Sequence, residues 1–168
     1  MKIWEIHISG HQRGLTFSSA HLIPGHEKCG RIHGHTYAVS VYLKGEPGED
    51  YMLEDFGRLK STMRDIISEL DHRFLLPGEY PGLELRMIGP RERPEAYEFT
   101  FCDDLYVFPA RDVAVLPIPS TTSEMLASYI LGLLAPHYLS RPGLLEIGVM
   151  VEEGPGQGSW CRMSPDPA

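Results

Sequence analysis

The sequence predicts a single α+β domain. Its 168 residues are the length of one ordinary domain, and a chain of this length can bury a sizeable core. Several segments alternate apolar and polar residues, which is typical of strands with one buried face. Two other segments carry apolar residues at helical spacing. Strands and helices of this kind in one chain predict a mixed fold.

The composition excludes several classes of protein. Hydrophobic residues make up 42% of the chain and charged residues 23%, as in soluble globular proteins. No apolar run approaches the roughly 20 residues of a membrane span, and the first residues do not resemble a signal peptide. We therefore expect a cytoplasmic protein without a membrane partner. A net charge of -8, with scattered Lys and Arg, argues against a nucleic-acid partner.

The first third of the chain predicts three strands. Residues 2–9 alternate, and Leu15 to His21 form a second extended segment after a turn that contains Gly10 and Gly14. The alternation between residues 33 and 43 predicts a third strand. One face of this strand carries His33, His35, Tyr37, Val39, Val41 and Leu43.

Two helices are predicted from apolar stripes. Asp55 is a candidate N-cap for the first helix. Its stripe consists of Phe56, Leu59, Met63, Ile66, Ile67 and Leu70. The second helix opens at residues 120–124, where Thr121 and Glu124 fit a capping box. Its stripe consists of Leu126, Ile130, Leu133 and Leu134.

The end of the chain predicts a further strand and a short last one near Ser159 to Arg162. Ile147, Val149 and Val151 share the apolar face of the first of these, and Glu153 ends that face. A carboxylate in such a position is uncommon unless it has a partner. Glu153 is therefore expected to have a partner.

Residues 84–118 are predicted to be an insertion on the surface. Prolines are frequent there, and the alternation of Tyr97 to Phe101 together with the apolar segment Val113 to Leu116 predicts a hairpin. Cys102, Asp103 and Asp104 could bind a metal, but an acidic turn is the preferred interpretation. The three cysteines of the chain have irregular spacings, which argues against a disulfide framework.

The segment from Cys29 to His35 carries the chemistry. His33 and His35 point to the same face of a strand, and with His21 they form a three-histidine site that suits zinc and leaves a fourth position open. The alternative is that these histidines fall together by chance. Cys29 favours the catalytic interpretation, because Lys28 and Arg31 beside it promote a thiolate that can act as base or nucleophile.

Asp71 and His72 follow the first predicted helix. An adjacent carboxylate and imidazole are usually an exposed pair at a helix end. They can also form an acid-base pair in which the carboxylate orients the histidine. Both interpretations stay open on the sequence alone.

In combination, these motifs resemble the 6-pyruvoyl-tetrahydropterin synthase family. The matching segments are Phe17 to His21, Cys29 to His35, Glu54 to Lys60, Leu70 to His72, Thr122 to Glu124 and Val149 to Glu153. The three residues between Cys29 and His33 resemble the branch that makes 6-carboxy-5,6,7,8-tetrahydropterin in the queuosine (7-deazaguanine) pathway. The mammalian-type pyruvoyl enzymes have a longer gap.

The resemblance implies a tunnelling fold (T-fold). This fold has an antiparallel four-stranded sheet with two helices between its second and third strands. The sheets of three subunits close into a barrel, and two trimers often stack, so a homotrimer or homohexamer is expected.

The resemblance also implies roles for the site residues. His21, His33 and His35 would hold zinc, and Cys29 would be the general base. Asp71 and His72 would relay protons across a subunit interface. Glu153 would accept hydrogen bonds from the N-H groups of a pterin, and Glu124 would join it in binding substrate, although a capping box is a sufficient explanation of Glu124.

The resemblance is incomplete near the pterin site. Gly154 stands where the family usually has Thr, and Glu152 would take the role of Glu153 if the strand register shifted by one residue. The insertion at 84–118 puts specificity in doubt.

The expected reaction is zinc-dependent conversion of 7,8-dihydroneopterin triphosphate to 6-carboxy-5,6,7,8-tetrahydropterin, acetaldehyde and triphosphate. One alternative is triphosphate elimination to the pyruvoyl product. Another is an oligomer that binds pterin without catalysis.

Overall fold

The computed structural model of the chain describes residues 2–101 and 103–165. The expected acidic turn at Cys102 therefore lies partly outside the described residues. The described strands are β1 (Trp4–Ile8), β2 (Thr16–His21), β3 (His33–Gly45), β4 (Arg73–Pro77), β5 (Glu84–Ile88), β6 (Ala96–Phe101), β7 (Asp104–Pro109), β8 (Val113–Leu116), β9 (Leu144–Gly154) and β10 (Gln157–Met163). The α-helices are α1 (Gly10–Arg13), α2 (Phe56–Ser68) and α3 (Ser123–Leu134), and single 3-10 turns follow β7 and α3.

The main sheet is built around the long strand β3. Its order is β10-β9-β3-β2-β4-β8, and β1 pairs with β3 beyond the end of β2. The strands β2, β3, β9 and β10 are antiparallel and correspond to the four expected strands. β4 runs parallel to β2, and β8 parallel to β4, so two short parallel strands extend the sheet. The predicted α+β class is confirmed.

The expected turn between β1 and β2 is a short helix that packs closely against β3 of the main sheet. Ser9 caps α1, and the Gly10 N-H donates to Ser40 Oγ at 2.9 Å. A Cβ at Gly10 would lie 2.6 Å from the backbone nitrogen of Val39, so only glycine fits this approach. The two strands on either side of α1 therefore pair with successive parts of β3, residues 41–45 and 33–38.

Helices α2 and α3 cover one face of the main sheet and close the core. They bury Leu59, Met63, Ile67, Leu126, Ile130 and Leu134 against the apolar face of β3 and β9. Phe56 and Leu133 were expected in the buried stripes but are 51% and 41% exposed. Phe56 is the first residue of α2 and Leu133 is in the last turn of α3, so both lie at the edge of the packed surface. No helix in the described part of the chain is long and apolar enough to span a membrane.

The predicted capping box of α3 is wrong by one residue. The N-cap is Thr122, whose hydroxyl accepts a hydrogen bond from the Met125 N-H at 3.4 Å. Thr121 is fully buried, and its hydroxyl donates to the carbonyl of Leu22 at 3.2 Å instead. The sequence pattern could not distinguish two adjacent threonines.

The insertion forms a small three-stranded antiparallel sheet in the order β5-β6-β7. The predicted hairpin is wrong in its second strand, because β6 pairs with β7, whereas residues 113–116 form β8 in the main sheet. The small sheet packs on β4 through a second core, which contains Leu22, Phe74, Leu76, Phe99, Phe101 and Val113. The excursion from the main sheet is thus shorter than the expected 84–118.

Candidate metal centre and active site

Three histidines converge where β2 ends and β3 begins. His21 and His33 are partners in the strand register, and His35 follows on the same face of β3. One ring nitrogen from each lies within 4.8 Å of the other two. Within residues 2–101 and 103–165, no cysteine or carboxylate joins this cluster. Three protein ligands and an open position are the arrangement of catalytic zinc sites.

The hydrogen bonds of His21 and His33 point their free nitrogens at each other. His21 donates its Nδ1 hydrogen to the carbonyl of Thr121 at 3.0 Å, and His33 donates its own to the carbonyl of Arg31 at 2.8 Å. Each neutral ring then has its lone pair on Nε2. These Nε2 atoms are 3.1 Å apart. Two nitrogens bound to one tetrahedral zinc are about 3.3 Å apart, so the pair fits a shared metal ion.

The third histidine supplies an unsatisfied nitrogen. His35 Nε2 is buried and has no hydrogen-bond partner. Its nearest carboxylate oxygen, on Glu153, is 3.9 Å away, which is beyond hydrogen-bond distance. A metal ion held by the three histidines would occupy this nitrogen as well. The donor set therefore fits a metal that prefers imidazole ligands.

Burial prepares His21 for metal binding. Burial, and after it the neighbouring His33, lower the pKa of His21 to about 4, although the hydrogen bond to Thr121 acts in the opposite direction. The ring is therefore neutral at pH 7. A neutral imidazole is the form that ligates metals.

Thr121 supports His21 and was not identified as a site residue from the sequence. Its carbonyl and its hydroxyl lie 3.0 and 3.2 Å from His21 Nδ1. Such contacts fix the tautomer and orientation of a ligand histidine. The available signal was the pair Thr121-Thr122 before α3, of which only one residue can be the N-cap.

Cys29 lies on the loop that connects β2 to β3. The loop is closed by hydrogen bonds from the Ile23 N-H to the Cys29 carbonyl, at 2.7 Å, and from the Cys29 N-H to His26 Nδ1, at 3.0 Å. The thiol is free and partly buried. It is not among the clustered ligands, so it stays available for proton transfer.

Asp71 and His72 form a tight pair at the start of β4. His72 Nδ1 and Asp71 Oδ2 are 2.9 Å apart, and the other carboxylate oxygen accepts the Ser18 N-H at 2.7 Å. These contacts, chiefly the Ser18 N-H, lower the pKa of Asp71. His72 has a left-handed backbone (φ 56°), and its side chain is 84% exposed. The imidazole is thus oriented by Asp71 and presented outward.

An open groove of about 630 Å³ contains His35 and His72 in its lining. Phe108, in β7, and Asp112, in the 3-10 turn that follows β7, line it as well. The insertion therefore borders a groove whose lining includes His72 and, of the three clustered histidines, His35 alone.

The two candidate carboxylates at the end of β9 face opposite ways. Glu153 lies on the face of the histidine cluster, 3.9 Å from His35 Nε2, and its side chain is 32% exposed. Glu152 is buried on the other face, where it accepts the Gly156 N-H at 3.1 Å and lies 3.6 Å from His11 Nε2. Only Glu153 of the two adjoins the metal ligands.

Glu124 is exposed in the first turn of α3. Its own backbone N-H and the Thr122 hydroxyl lower its pKa, so it is a carboxylate at pH 7. Ser123 beside it is 2.8 Å from Ser159 of β10. Glu124 is outside the histidine cluster of the described residues, and its neighbours are the polar groups that join α3 to β10.

Tyr37 completes the inner wall of the site. Its ring stacks on Phe17 at 4.7 Å, and its edge meets the rings of His35 and His21 at centroid distances of 5.4 and 5.9 Å. The side chain is fully buried, and its hydroxyl has no hydrogen-bond partner. Burial and the Glu153 carboxylate raise the pKa of Tyr37, so the phenol keeps its proton.

Comparisons with known proteins agree on one family. Residues 11–164 match the family model described as 6-pyruvoyl tetrahydropterin synthase. A Methanocaldococcus jannaschii protein, provisionally named 6-carboxy-5,6,7,8-tetrahydropterin synthase, is 38% identical over 94% of this chain and 95% of its own length. The crystal structure of 6-pyruvoyl tetrahydropterin synthase from Plasmodium vivax superposes with a TM-score of 0.86. It is 27% identical, over 98% of this chain and 99% of that one.

A shorter match has a different name. The dihydroneopterin monophosphate aldolase of Pyrococcus furiosus is 37% identical over 60 residues, which are 36% of this chain and 51% of that protein. The relatives thus share pterin chemistry but differ in the reaction that their names give.

Proposed function

Because this chain belongs to the 6-pyruvoyl tetrahydropterin synthase family, we propose that it converts 7,8-dihydroneopterin triphosphate and water to 6-carboxy-5,6,7,8-tetrahydropterin, acetaldehyde and triphosphate, with zinc as its metal. The family makes the chain a pterin-processing enzyme of the lyase type. The tunnelling fold that the family resemblance implies is confirmed by the likeness to the Plasmodium enzyme.

One observation carries the proposal for zinc. Three imidazoles converge with their free nitrogens directed inward, and no fourth protein ligand closes the cluster in the described residues. A structural zinc site usually has four protein ligands, whereas a catalytic site leaves a position for substrate. The cluster thus supports a catalytic role.

His21, His33 and His35 would hold the zinc, which would supply a Lewis acid that makes the C-H and O-H protons of the substrate side chain more acidic. Cys29 accepts a proton as the general base. His72 donates its Nδ1 hydrogen to Asp71, which leaves Nε2 free to move a proton in the groove. Glu153 accepts hydrogen bonds from the N-H groups of the pterin ring, and the carboxylate of Glu124 is a second candidate for substrate binding.

Two features favour the carboxy product. Three residues separate Cys29 from His33, as in the carboxy branch, and the Methanocaldococcus relative has the corresponding name. Elimination to the pyruvoyl product is the nearest alternative. Aldol cleavage is a further candidate because of the name of the Pyrococcus protein. A pterin-binding oligomer without activity is disfavoured because the chain has Cys29, Asp71 and His72 together with the three histidines.

The proposal includes an assembly. The exposed imidazole of His72 is suited to act on a site shared with a second subunit, which agrees with the homotrimer or homohexamer expected from the family resemblance. We further propose a single domain with its insertion at the groove, a cytoplasmic location and a role in queuosine biosynthesis. These rest on the sequence.

Mass spectrometry of the products tests the reaction. The zinc-loaded protein is incubated with 7,8-dihydroneopterin triphosphate beside a Cys29→Ala variant. We expect carboxytetrahydropterin and acetaldehyde from the wild type, and at least a 100-fold lower rate from the variant with its zinc retained. A pyruvoyl product or an aldol product would assign the chain to the corresponding alternative, and absence of turnover would reject the substrate.

A further inference from the structure

The hydroxyl of Tyr37 is a buried hydrogen-bond donor without an acceptor. The side chain has no solvent exposure, and no hydrogen-bond partner lies near the oxygen. Buried polar groups in folded proteins nearly always have a partner, and one without needs an explanation. Phenylalanine would keep the stacking on Phe17 without leaving a hydroxyl unsatisfied. Packing alone therefore does not explain why this residue has a hydroxyl.

The surroundings of this hydroxyl point to a ligand. The ring of Tyr37 meets the rings of His35 and His21, two of the three metal-binding candidates. Among the described residues, the only other buried side-chain nitrogen or oxygen without a hydrogen-bond partner is His35 Nε2, which belongs to the same site. His35 and Tyr37 are two positions apart on one strand face, so both unsatisfied polar atoms belong to residues of the same site.

The hydrogen-bonding groups of Glu153 and Tyr37 indicate which polar groups a bound ligand would present to them. Glu153 accepts hydrogen bonds and takes the N-H groups of a ligand. Tyr37 can supply the opposite partner, an O-H donor for a ligand oxygen. Since its ring lies against the metal ligands, the acceptor is on the part of the ligand nearest to the metal.

We propose that Tyr37 is a specificity residue whose phenol donates a hydrogen bond to a side-chain oxygen of the bound pterin. This inference rests on the proposed function, because it takes the pterin as the ligand. Tyr37 thereby distinguishes pterins with a hydroxylated side chain from those without one. Glu153 reads the ring, which both kinds of pterin share.

Two fluorescent probes separate these contributions. Neopterin has a trihydroxypropyl side chain, and 6-methylpterin has the same ring without side-chain oxygens. Each is titrated into the zinc-loaded wild type, Tyr37→Phe, and the control Tyr138→Phe. Tyr138 is also buried, but its hydroxyl lies 3.5 Å from Thr62 Oγ1, on α2.

For Tyr37→Phe we expect about tenfold weaker binding of neopterin and unchanged binding of 6-methylpterin. Zinc content should match the wild type, and the thermal midpoint should be equal or higher, because the variant removes an unsatisfied buried group. Tyr138→Phe should bind both probes as the wild type does.

Three results would overturn the proposal. Equal neopterin affinity in wild type and Tyr37→Phe would reject the hydrogen bond but leave the proposed function intact. An equal loss for both probes, or a lower thermal midpoint, would mean that the hydroxyl supports the ring site or the core. Binding of neither probe to the wild type would reject the pterin as ligand, and with it both proposals.

Discussion

His21 Nε2 and His33 Nε2 face each other at 3.1 Å, although both rings have given their Nδ1 hydrogens to main-chain carbonyls. Two lone pairs at this distance repel unless a cation lies between them. The geometry of the site thus favours a positive charge at its centre. A metal ion would supply that charge and would join His35 to the pair.

Metal binding should stabilise the fold. At a free zinc concentration 1,000 times the Kd, binding contributes about 4 kcal/mol, which for a chain of this length raises the Tm by roughly 10 °C. We expect His33→Ala to lose both the bound zinc and this increase, as measured by metal analysis and calorimetry. His137→Ala, at an exposed histidine after α3, should retain both. A His33→Ala protein that binds zinc like the wild type would contradict the three-histidine centre.

The Thr121 hydroxyl should tune zinc affinity. Thr121→Val removes a group 3.2 Å from His21 Nδ1, while the main-chain carbonyl still accepts the hydrogen. We expect about tenfold weaker zinc binding by chelator competition, the low end of the effect of such supporting contacts. Thr121→Ser keeps the hydroxyl and should restore the affinity. If valine and serine behave alike, the hydroxyl has no part in orienting His21.

Replacement of Glu153 should weaken pterin binding, whereas replacement of Glu152 should not. Glu153→Gln places an amide N-H₂ where the pterin presents its own N-H groups, so we expect 10- to 100-fold weaker neopterin binding. Glu152→Gln changes a side chain on the opposite face and should leave that affinity unchanged. Fluorescence titration of the two variants measures the difference. The reverse order of effects would assign the pterin to Glu152.

Asp71 should make stability depend on acidic pH. Its pKa in the folded state is below the ordinary value of 3.8, chiefly because of the Ser18 N-H. A carboxyl of this kind stabilises the fold above its unfolded pKa, and the contribution is lost as the pH falls through the folded pKa. Asp71→Asn should therefore be less stable than the wild type at pH 6, and the difference should shrink below about pH 4.

Urea unfolding at a series of pH values measures this difference. Asp65→Asn, at an exposed carboxylate on α2, controls for the general change of charge. A stability difference that stays constant from pH 6 to pH 3 would mean that the Asp71 contacts do not favour the charged form.

Short-range periodicity predicted much of this molecule. The alternation of β3 places His33, His35 and Tyr37 on one face in the structure, as a period of two requires. The apolar stripes predicted α2 and α3. Local signals suffice for these features because each depends on residues close in sequence.

Long-range partners were beyond such signals. The apolar segment Val113–Leu116 predicts a strand but not its parallel pairing with β4. The role of Thr121 was not predictable for the same reason. Its contacts are with the distant His21 and Leu22, and in the sequence it cannot be distinguished from any threonine before a helix. A local sequence pattern does not predict which distant carbonyl a side chain will form a hydrogen bond with.

The contact between His21 and Thr121 has a consequence for the order of folding. It joins residues 100 positions apart, with the whole insertion in the intervening loop. The entropy of closing so long a loop must be overcome before the contact forms, and contacts of this separation form slowly. During synthesis, β2 and β3 emerge together and can pair early. His21 can make this contact only after the ribosome has released the start of α3, so the three-histidine cluster of the nascent chain is completely oriented late.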